Sequence, residues 1–151
     1  HSHHESERGF EFCFFLRSHT HSRCRIIVFY FNTNYMKEFD FQKLDVYKKA
    51  KSFHKLMKSF ISETKLERYV KDQLGRASFS VILNIAEGSS RFSKPDRKHF
   101  FVVARGSLFE CVAVLDELHE ENFIETIRYE SFLNDADELS RMLYSMIMHL
   151  S

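Results

Sequence analysis

Apolar residues recur at alternating steps of three and four along most of this chain, and this spacing constrains the fold more than any other feature. The four sets run over residues 46–60, 74–85, 101–118 and 129–150. Such spacing places one apolar seam along each of four helices, which is the geometry of near-antiparallel packing in a bundle.

Capping and turn residues separate the four predicted helices. Gly88 is a candidate left-handed stop for the second helix. Ser93 is the predicted cap of the third helix, because Asp96 follows three residues later. Asn122 ends the third helix, and Thr126 is a candidate cap for the fourth. The short connections require antiparallel neighbours, so we predict an all-α fold, an antiparallel up-down-up-down four-helix bundle.

Residues 1–35 differ in composition from the rest of the chain. They hold five of the nine histidines and two short aromatic-rich runs, and they contain no signal-peptide pattern. The histidines lack acidic or cysteine partners at ligand spacing, so no metal site is predicted there. We expect residues 1–35 to be an N-terminal extension, either foreign or read in from upstream, and the bundle domain to cover residues 36–151.

Neither a membrane span nor a disulfide framework is indicated. The longest apolar run, at residues 26–31, has six residues, against roughly 18 needed to cross a bilayer. Cys13, Cys24 and Cys111 show no C-x-x-C spacing. These observations favour a protein of the reducing cytoplasm.

Motifs of catalysis are missing from the sequence. No nucleophile elbow and no glycine-rich phosphate loop is present. Asp96 and His99, like Asp116 and His119, have the spacing of di-iron ligands, but both pairs fall on one predicted helix, whereas such sites use facing helices. We interpret them as solvated surface residues.

Glu87 and Glu110 each follow apolar residues directly. They could form a carboxylate pair for acid–base chemistry. The alternative, which we favour, is that they pair with Arg76, Arg91 or Arg105 as interhelical salt bridges. No catalytic residue, metal ligand or cofactor is therefore predicted, and we do not expect an enzyme.

The formal net charge of +1 conceals a strong division along the chain. Residues 36–105 hold 16 Lys and Arg against 8 Asp and Glu, whereas residues 106–151 hold 2 against 10. Tyr47, Tyr69 and Phe92 could stack on unpaired bases. A solvated surface is the alternative, and we favour it for the first helix taken alone. Candidate phosphate contacts on nucleic acid are Lys48, Lys51, Lys55, Arg76, Arg91, Lys94, Arg97, Lys98 and Arg105.

Glycines and surplus apolar residues point to close packing. Gly75 and Gly106 lie inside predicted helices, where each costs about 1 kcal/mol relative to Ala. We interpret both as sites of close helix–helix contact rather than of phosphate approach.

Self-association would cover the apolar residues that lie off the seams, which are Ile82, Val102, Val103, Val112, Val114 and Ile147.

Two linked sequence blocks carry a family resemblance. Residues 84–91 read NIAEGSSR and residues 100–110 read FFVVARGSLFE, preceded by QLGRASFS at 73–80. Over about residues 38–150 the chain resembles the bacterial four-helix bundle family known from proteins encoded in 23S ribosomal RNA intervening sequences. The motif positions are Asn84, Glu87, Gly88, Gly106, Ser107 and Glu110.

The resemblance implies a cytoplasmic bacterial protein similar to homopentameric bundles with a central pore. A related group, the accessory protein of diversity-generating retroelements, binds nucleic acid and a reverse transcriptase through a basic surface. It further implies that Arg76, Arg91 and Arg105 belong to such a surface. We therefore predict a non-enzymatic oligomer that contacts RNA, or an RNA–protein complex, through phosphates. The alternative is a protein–protein adaptor or assembly scaffold without direct nucleic-acid binding.

Overall fold

Five helices build most of residues 37–151, the part of the chain that the computed structural model describes. A short helix precedes four long ones, and the expectations for residues 1–35 lie outside this part. The helices are α1 (Asp40–Lys43), α2 (Asp45–Glu63), α3 (Arg68–Ser90), α4 (Lys94–Glu120) and α5 (Thr126–His149).

Each long helix packs against the helices before and after it, and α5 closes the ring against α2. Across the described residues, no Cα atoms of the diagonal pairs α2 with α4 and α3 with α5 lie within 8 Å of each other. Loops of three to five residues join the long helices, which forces neighbours to run antiparallel. The predicted up-down-up-down bundle is thus confirmed. The short α1 is an addition that the apolar spacing did not indicate.

The predicted apolar seams form the core of the bundle. All seam residues of α2, α3 and α4 are buried, with Phe53 and Phe101 among the largest fully buried side chains. In α5 the seam is buried in its middle, whereas Tyr129, Met146 and Leu150 near its ends are half-buried. Since burying a large apolar side chain contributes about 1.5–3 kcal/mol, these seams supply the main driving force for the fold.

Fewer of the apolar residues outside the seams are exposed than the sequence suggested. Ile82 and Ile147 are buried in the core, and two further valines are half-buried. Only Val102 and Val103 of the expected surplus are exposed. Both lie on α4, whereas other exposed apolar side chains, such as Leu83 on α3 and Ile127 on α5, lie on the neighbouring helices.

The helix ends agree with the sequence at two positions and differ at a third. Ser93 caps α4 as predicted, because its Oγ accepts a hydrogen bond from the main-chain N–H of Asp96 at 3.2 Å. Asn122 follows α4 with φ of 64°, a left-handed conformation that Asn tolerates well. Thr126 does not cap α5. It is the first helical residue, and Glu125 precedes it without a side-chain cap.

Gly88 is not the left-handed stop that the sequence suggested. It lies inside α3, is buried, and has a negative φ. A Cβ atom at this position would lie 2.8 Å from Cε1 of Phe101 and 3.0 Å from Cβ of Phe100. Gly88 therefore permits a close approach of α3 to the start of α4.

The prediction of close helix–helix contact at Gly75 and Gly106 is wrong. A Cβ atom on Gly75 would have only Cδ1 of Ile61 nearby, at 3.8 Å, and one on Gly106 would meet nothing within 4 Å. Both positions have room for a methyl group. The close contact lies instead at Gly88, whose neighbours come from a different helix.

Alanine substitutions at Gly75 and Gly88 test this contact within a single helix. Gly75→Ala should raise the free energy of unfolding by up to about 1 kcal/mol, since Ala favours the helix and the space exists. Gly88→Ala should lower it by roughly 1–3 kcal/mol, because the packed Phe101 ring must shift. Urea unfolding followed by circular dichroism measures both, and equal stabilisation by the two variants would contradict the close contact.

Candidate nucleic-acid interface

Several polar residues of the family-like sequence blocks lie along the interface between α3 and α4. The hydroxyls of Ser80 and Ser107 are 2.9 Å apart, and Asn84 Nδ2 donates to the Ser80 carbonyl oxygen at 2.8 Å and to its Oγ at 3.0 Å. Gln73 Nε2 donates to Glu110 Oε1 across the same seam. The Ser80–Ser107 and Gln73–Glu110 bonds join α3 to α4, whereas Asn84 bonds within α3, so the motif residues Ser107 and Glu110 have a structural role.

Of the salt bridges expected for Glu87 and Glu110, the pair of Glu87 with Arg91 forms, but it does not join two helices, and Glu110 pairs with no arginine in the described residues. Glu87 pairs with Arg91 one turn later, at the end of α3, and Glu110 pairs with the neutral amide of Gln73. Glu87 and Gln73 lie about 20 Å apart along α3 at 1.5 Å per residue. The two carboxylates are therefore too far apart for joint acid–base chemistry.

The predicted surface pair of Asp116 and His119 stabilises the start of α5. Asp116 Oδ1 accepts from the Tyr129 hydroxyl at 2.6 Å, which raises the pKa of Tyr129. The His119 ring stacks on Tyr129 with centroids 4.3 Å apart, and its Nδ1 lies 2.9 Å from the Ile124 carbonyl oxygen. Over residues 37–151, no three His, Cys, Asp or Glu side chains are grouped to hold a metal ion.

The predicted basic residues do not form one continuous face. Lys51 and Lys55 line a groove between α2 and α3. Arg105 lies on the opposite side of the bundle, where its Nε donates to Ser140 Oγ of α5 at 3.2 Å. The other predicted residues are Lys48, whose Nζ lies 3.7 Å from Asp45, the exposed Arg76 on α3, and a group near the α3–α4 loop formed by Arg91, Lys94, Arg97 and Lys98.

Two of the predicted arginines already make contacts within the fold, and a third is half-buried. Arg91 lies over the Phe100 ring at 4.6 Å in addition to its ion pair. Arg105 lies over the Phe109 ring at 4.5 Å. Arg97 is half-buried, and its buried Nε has no hydrogen-bond partner among the described residues. These guanidinium groups are less available to a ligand than exposed lysines are.

The α2–α3 groove gathers positive charge on one wall. Its volume is about 620 Å³. In the described part of the chain, Lys51, Lys55 and Lys58 form no ion pair, whereas Lys48 and Lys49 do. The lining residues are Tyr47, Lys51, His54, Lys55, Lys58, Ser59 and Ser62 from α2, with Phe79 and Ile82 from α3, and they include no carboxylate.

Comparison with known proteins identifies the family. The model of the 23S rRNA-intervening sequence protein family matches residues 42–145. The chain belongs to this family. It is also similar to the crystal structure of a protein of unknown function from the S23 ribosomal protein family of Bacteroides thetaiotaomicron VPI-5482, with 26% identity, a TM-score of 0.63, and coverage of 68% of this chain and 97% of that chain. No curated protein sequence matches the chain.

The family resemblance inferred from the two sequence blocks is thereby confirmed. The family assignment carries no established activity, because the similar solved protein is itself of unknown function. Among residues 37–151, no helix is both long enough and apolar enough to cross a membrane.

The site residues predicted from the sequence did not include Lys58, His54 and Phe79, which line the groove. The signal for Lys58 was present, because Lys51, Lys55 and Lys58 recur at steps of four and three and so share one helix face. The sequence alone could not place Phe79 at this groove. Its place beside the lysines depends on which face of α3 packs against α2.

His54 makes the stability of the fold depend on pH. Burial and then the positive charge of Lys58 lower the pKa of His54 below its ordinary value of about 6.5. The unfolded chain therefore binds more protons than the native one between these two pKa values, so the free energy of unfolding falls as the pH is lowered through that window.

Replacing His54 with Gln should flatten this pH dependence. Urea unfolding of the wild type and His54→Gln between about pH 5 and 8 measures the difference in slope below the ordinary histidine pKa. His149→Gln, which changes an exposed histidine at the end of α5, is the matched control and should keep the wild-type slope. An unchanged slope in His54→Gln would show that this ring does not titrate abnormally.

Proposed function

We propose that this chain is a non-enzymatic protein of the cytoplasm that binds RNA, alone or within an RNA–protein complex, through phosphate contacts. The observation that carries the proposal is the α2–α3 groove, whose wall presents Lys51, Lys55 and Lys58 without carboxylate partners. Lysines that neutralise phosphates contribute affinity without reading base sequence. Such a site needs neither a metal nor a cofactor.

The distribution of acidic residues supports a positive potential at the groove. The acidic part of the chain builds the second half of α4 and α5. On the side of α2 that faces α5, Lys49 pairs with Asp135 at 2.8 Å and with Glu138, and these bonds raise its pKa. The groove lies on the other side of α2. Attraction of a polyanion to that side would raise the rate of association.

Exposed apolar residues on α4 support self-association. Val102, Gly106, Phe109 and Ala113 recur at steps of four, three and four and are all exposed; we call them the α4 outer stripe. Val102 and Phe109 are 48% and 50% exposed, which is unfavourable for large apolar side chains in water. We propose that copies of the chain associate through this stripe, and the family resemblance favours a pentamer. A ring would then strengthen weak RNA contacts through multivalency.

The α4 outer stripe also favours a second candidate function. A protein partner could cover the same apolar surface, with the acidic residues of α5 meeting a basic partner. The chain would then act as an adaptor or assembly scaffold without binding RNA itself. Direct measurement of RNA binding separates the two functions.

Two double variants with the same change in net charge test the groove. The probe is a labelled RNA hairpin with a single-stranded tail, and fluorescence anisotropy measures its affinity. Wild-type affinity should fall about a hundredfold or more between roughly 50 and 200 mM salt. Lys51→Glu with Lys55→Glu should weaken binding at least about tenfold at the lower salt, because phosphate contacts are replaced by repulsion.

Lys94→Glu with Lys98→Glu is the control for this experiment, and it should weaken binding much less. Equal weakening by both pairs would mean that overall charge, rather than the groove, determines affinity. If the wild-type protein does not bind at the lower salt, the RNA proposal is wrong and the adaptor function takes its place.

Substitution within the α4 outer stripe tests self-association. Val102→Asp should shift the molar mass in solution from that of an oligomer to that of a monomer, because a charge would be buried in the interface. Sedimentation equilibrium gives the mass, and circular dichroism checks that helix content is kept. Ile127→Asp, at a position 83% exposed on α5, should leave the mass unchanged. A wild-type protein that sediments as a monomer would contradict the proposed assembly.

A further inference from the structure

His54 is held in one orientation at the α2–α3 groove by a hydrogen bond to Ser78. Its Nδ1 lies 2.8 Å from the Oγ of Ser78, a residue with no exposed surface. The Ser78 hydroxyl in turn donates to the Leu74 carbonyl oxygen at 2.8 Å. With the hydroxyl proton assigned to the Leu74 carbonyl oxygen, which can only accept, Ser78 Oγ accepts from His54 Nδ1. The neutral ring therefore keeps a lone pair on Nε2, which has no hydrogen-bond partner within residues 37–151.

Aromatic rings stand beside this acceptor. The Phe79 ring is 5.4 Å from the His54 ring, and Phe79 is 48% exposed. The Tyr47 ring lines the same groove, with Lys51 Nζ 5.7 Å from its centroid. An exposed ring is a stacking platform for any base, because every base has a π-face. Only a base that is not already stacked and paired can use it.

The lysines extend this arrangement along the helix. Lys51 and Lys58 are seven residues apart, which corresponds to about 10 Å along α2. They lie on the same groove as the His54 and Phe79 rings, so a strand with a base on Phe79 keeps its neighbouring phosphates within reach of the ammonium groups.

We infer that the α2–α3 groove holds an unpaired segment of RNA, with a base face against Phe79, a base N–H donating to His54 Nε2, and flanking phosphates on the lysines. The inference rests on the proposed function and names the form of RNA that the groove takes. Duplex RNA is excluded from this mode, because its bases are stacked and their paired edges are occupied. Histidine and phenylalanine would thus add a preference for single strands to contacts that are otherwise insensitive to sequence.

The test compares three labelled probes on the full chain by fluorescence anisotropy. The first is a single-stranded RNA of about 15 nucleotides, the second is its blunt duplex, and the third is an abasic strand of the same length and charge. The single strand should bind about tenfold or more tightly than either of the others at the same salt concentration.

Phe79→Leu retains apolar bulk and removes the ring, so it should weaken single-strand binding about fivefold to a hundredfold and leave duplex binding unchanged. Phe123→Leu is the matched control, since Phe123 is 46% exposed in the α4–α5 loop, and it should bind like the wild type. Thermal unfolding of each variant confirms that the fold is kept.

The results distinguish failure of the inference from failure of the proposed function. Abasic or duplex RNA that binds as tightly as the single strand, or a Phe79→Leu variant that binds the single strand as tightly as the wild type, would overturn the inference and leave phosphate-based RNA binding in place. If none of the three probes binds at low salt, the proposed function fails and the inference fails with it.

Discussion

One apolar seam on each long helix determines where every polar side chain of this bundle lies. Because Phe53, Met57 and the other seam residues of α2 face the core, the lysines one or two residues from a seam position must lie on the sides of that helix. Lys49 falls on the side that meets the acidic α5 and is neutralised there. The lysines at the α2–α3 groove fall on the other side, where they form no ion pair among the described residues. The surface chemistry thus follows from the packing of the core.

Local patterns predicted the helices well, because an apolar seam is a property of one helix alone. The capping role of Ser93 was also predictable from the local sequence, because its partner Asp96 lies three residues away. The left-handed helix stop predicted at Gly88 was wrong for a physical reason. A glycine permits a left-handed turn or a close approach, and the sequence around it does not distinguish them. The answer depends on Phe101, which comes from the next helix.

Prediction of the site was limited by the same distinction between local and nonlocal contacts. The basic residue types were identified, but the sequence placed them on a single surface, whereas Arg105 packs beside Ser140 of α5 and Lys55 lies on the α2–α3 groove. His54 was missed because its chemistry depends on Ser78, 24 residues away. Residue spacing gives the face of a helix, and only the packing order of the helices shows which faces meet.

The charges at the ends of α4 show why the groove, rather than the α3–α4 loop, is the stronger evidence for a ligand. Lysines at the start of α4 oppose its macrodipole by a few tenths of a kcal/mol each. The antiparallel packing offsets this cost, because Lys94 lies a three-residue loop away from the carbonyl end of α3. Glu121 at the end of α4 is likewise close to the N–H end of α5. Lys51, Lys55 and Lys58 lie within α2 and form no ion pair among the described residues, so the proposal of phosphate contacts rests on the groove rather than on the loop.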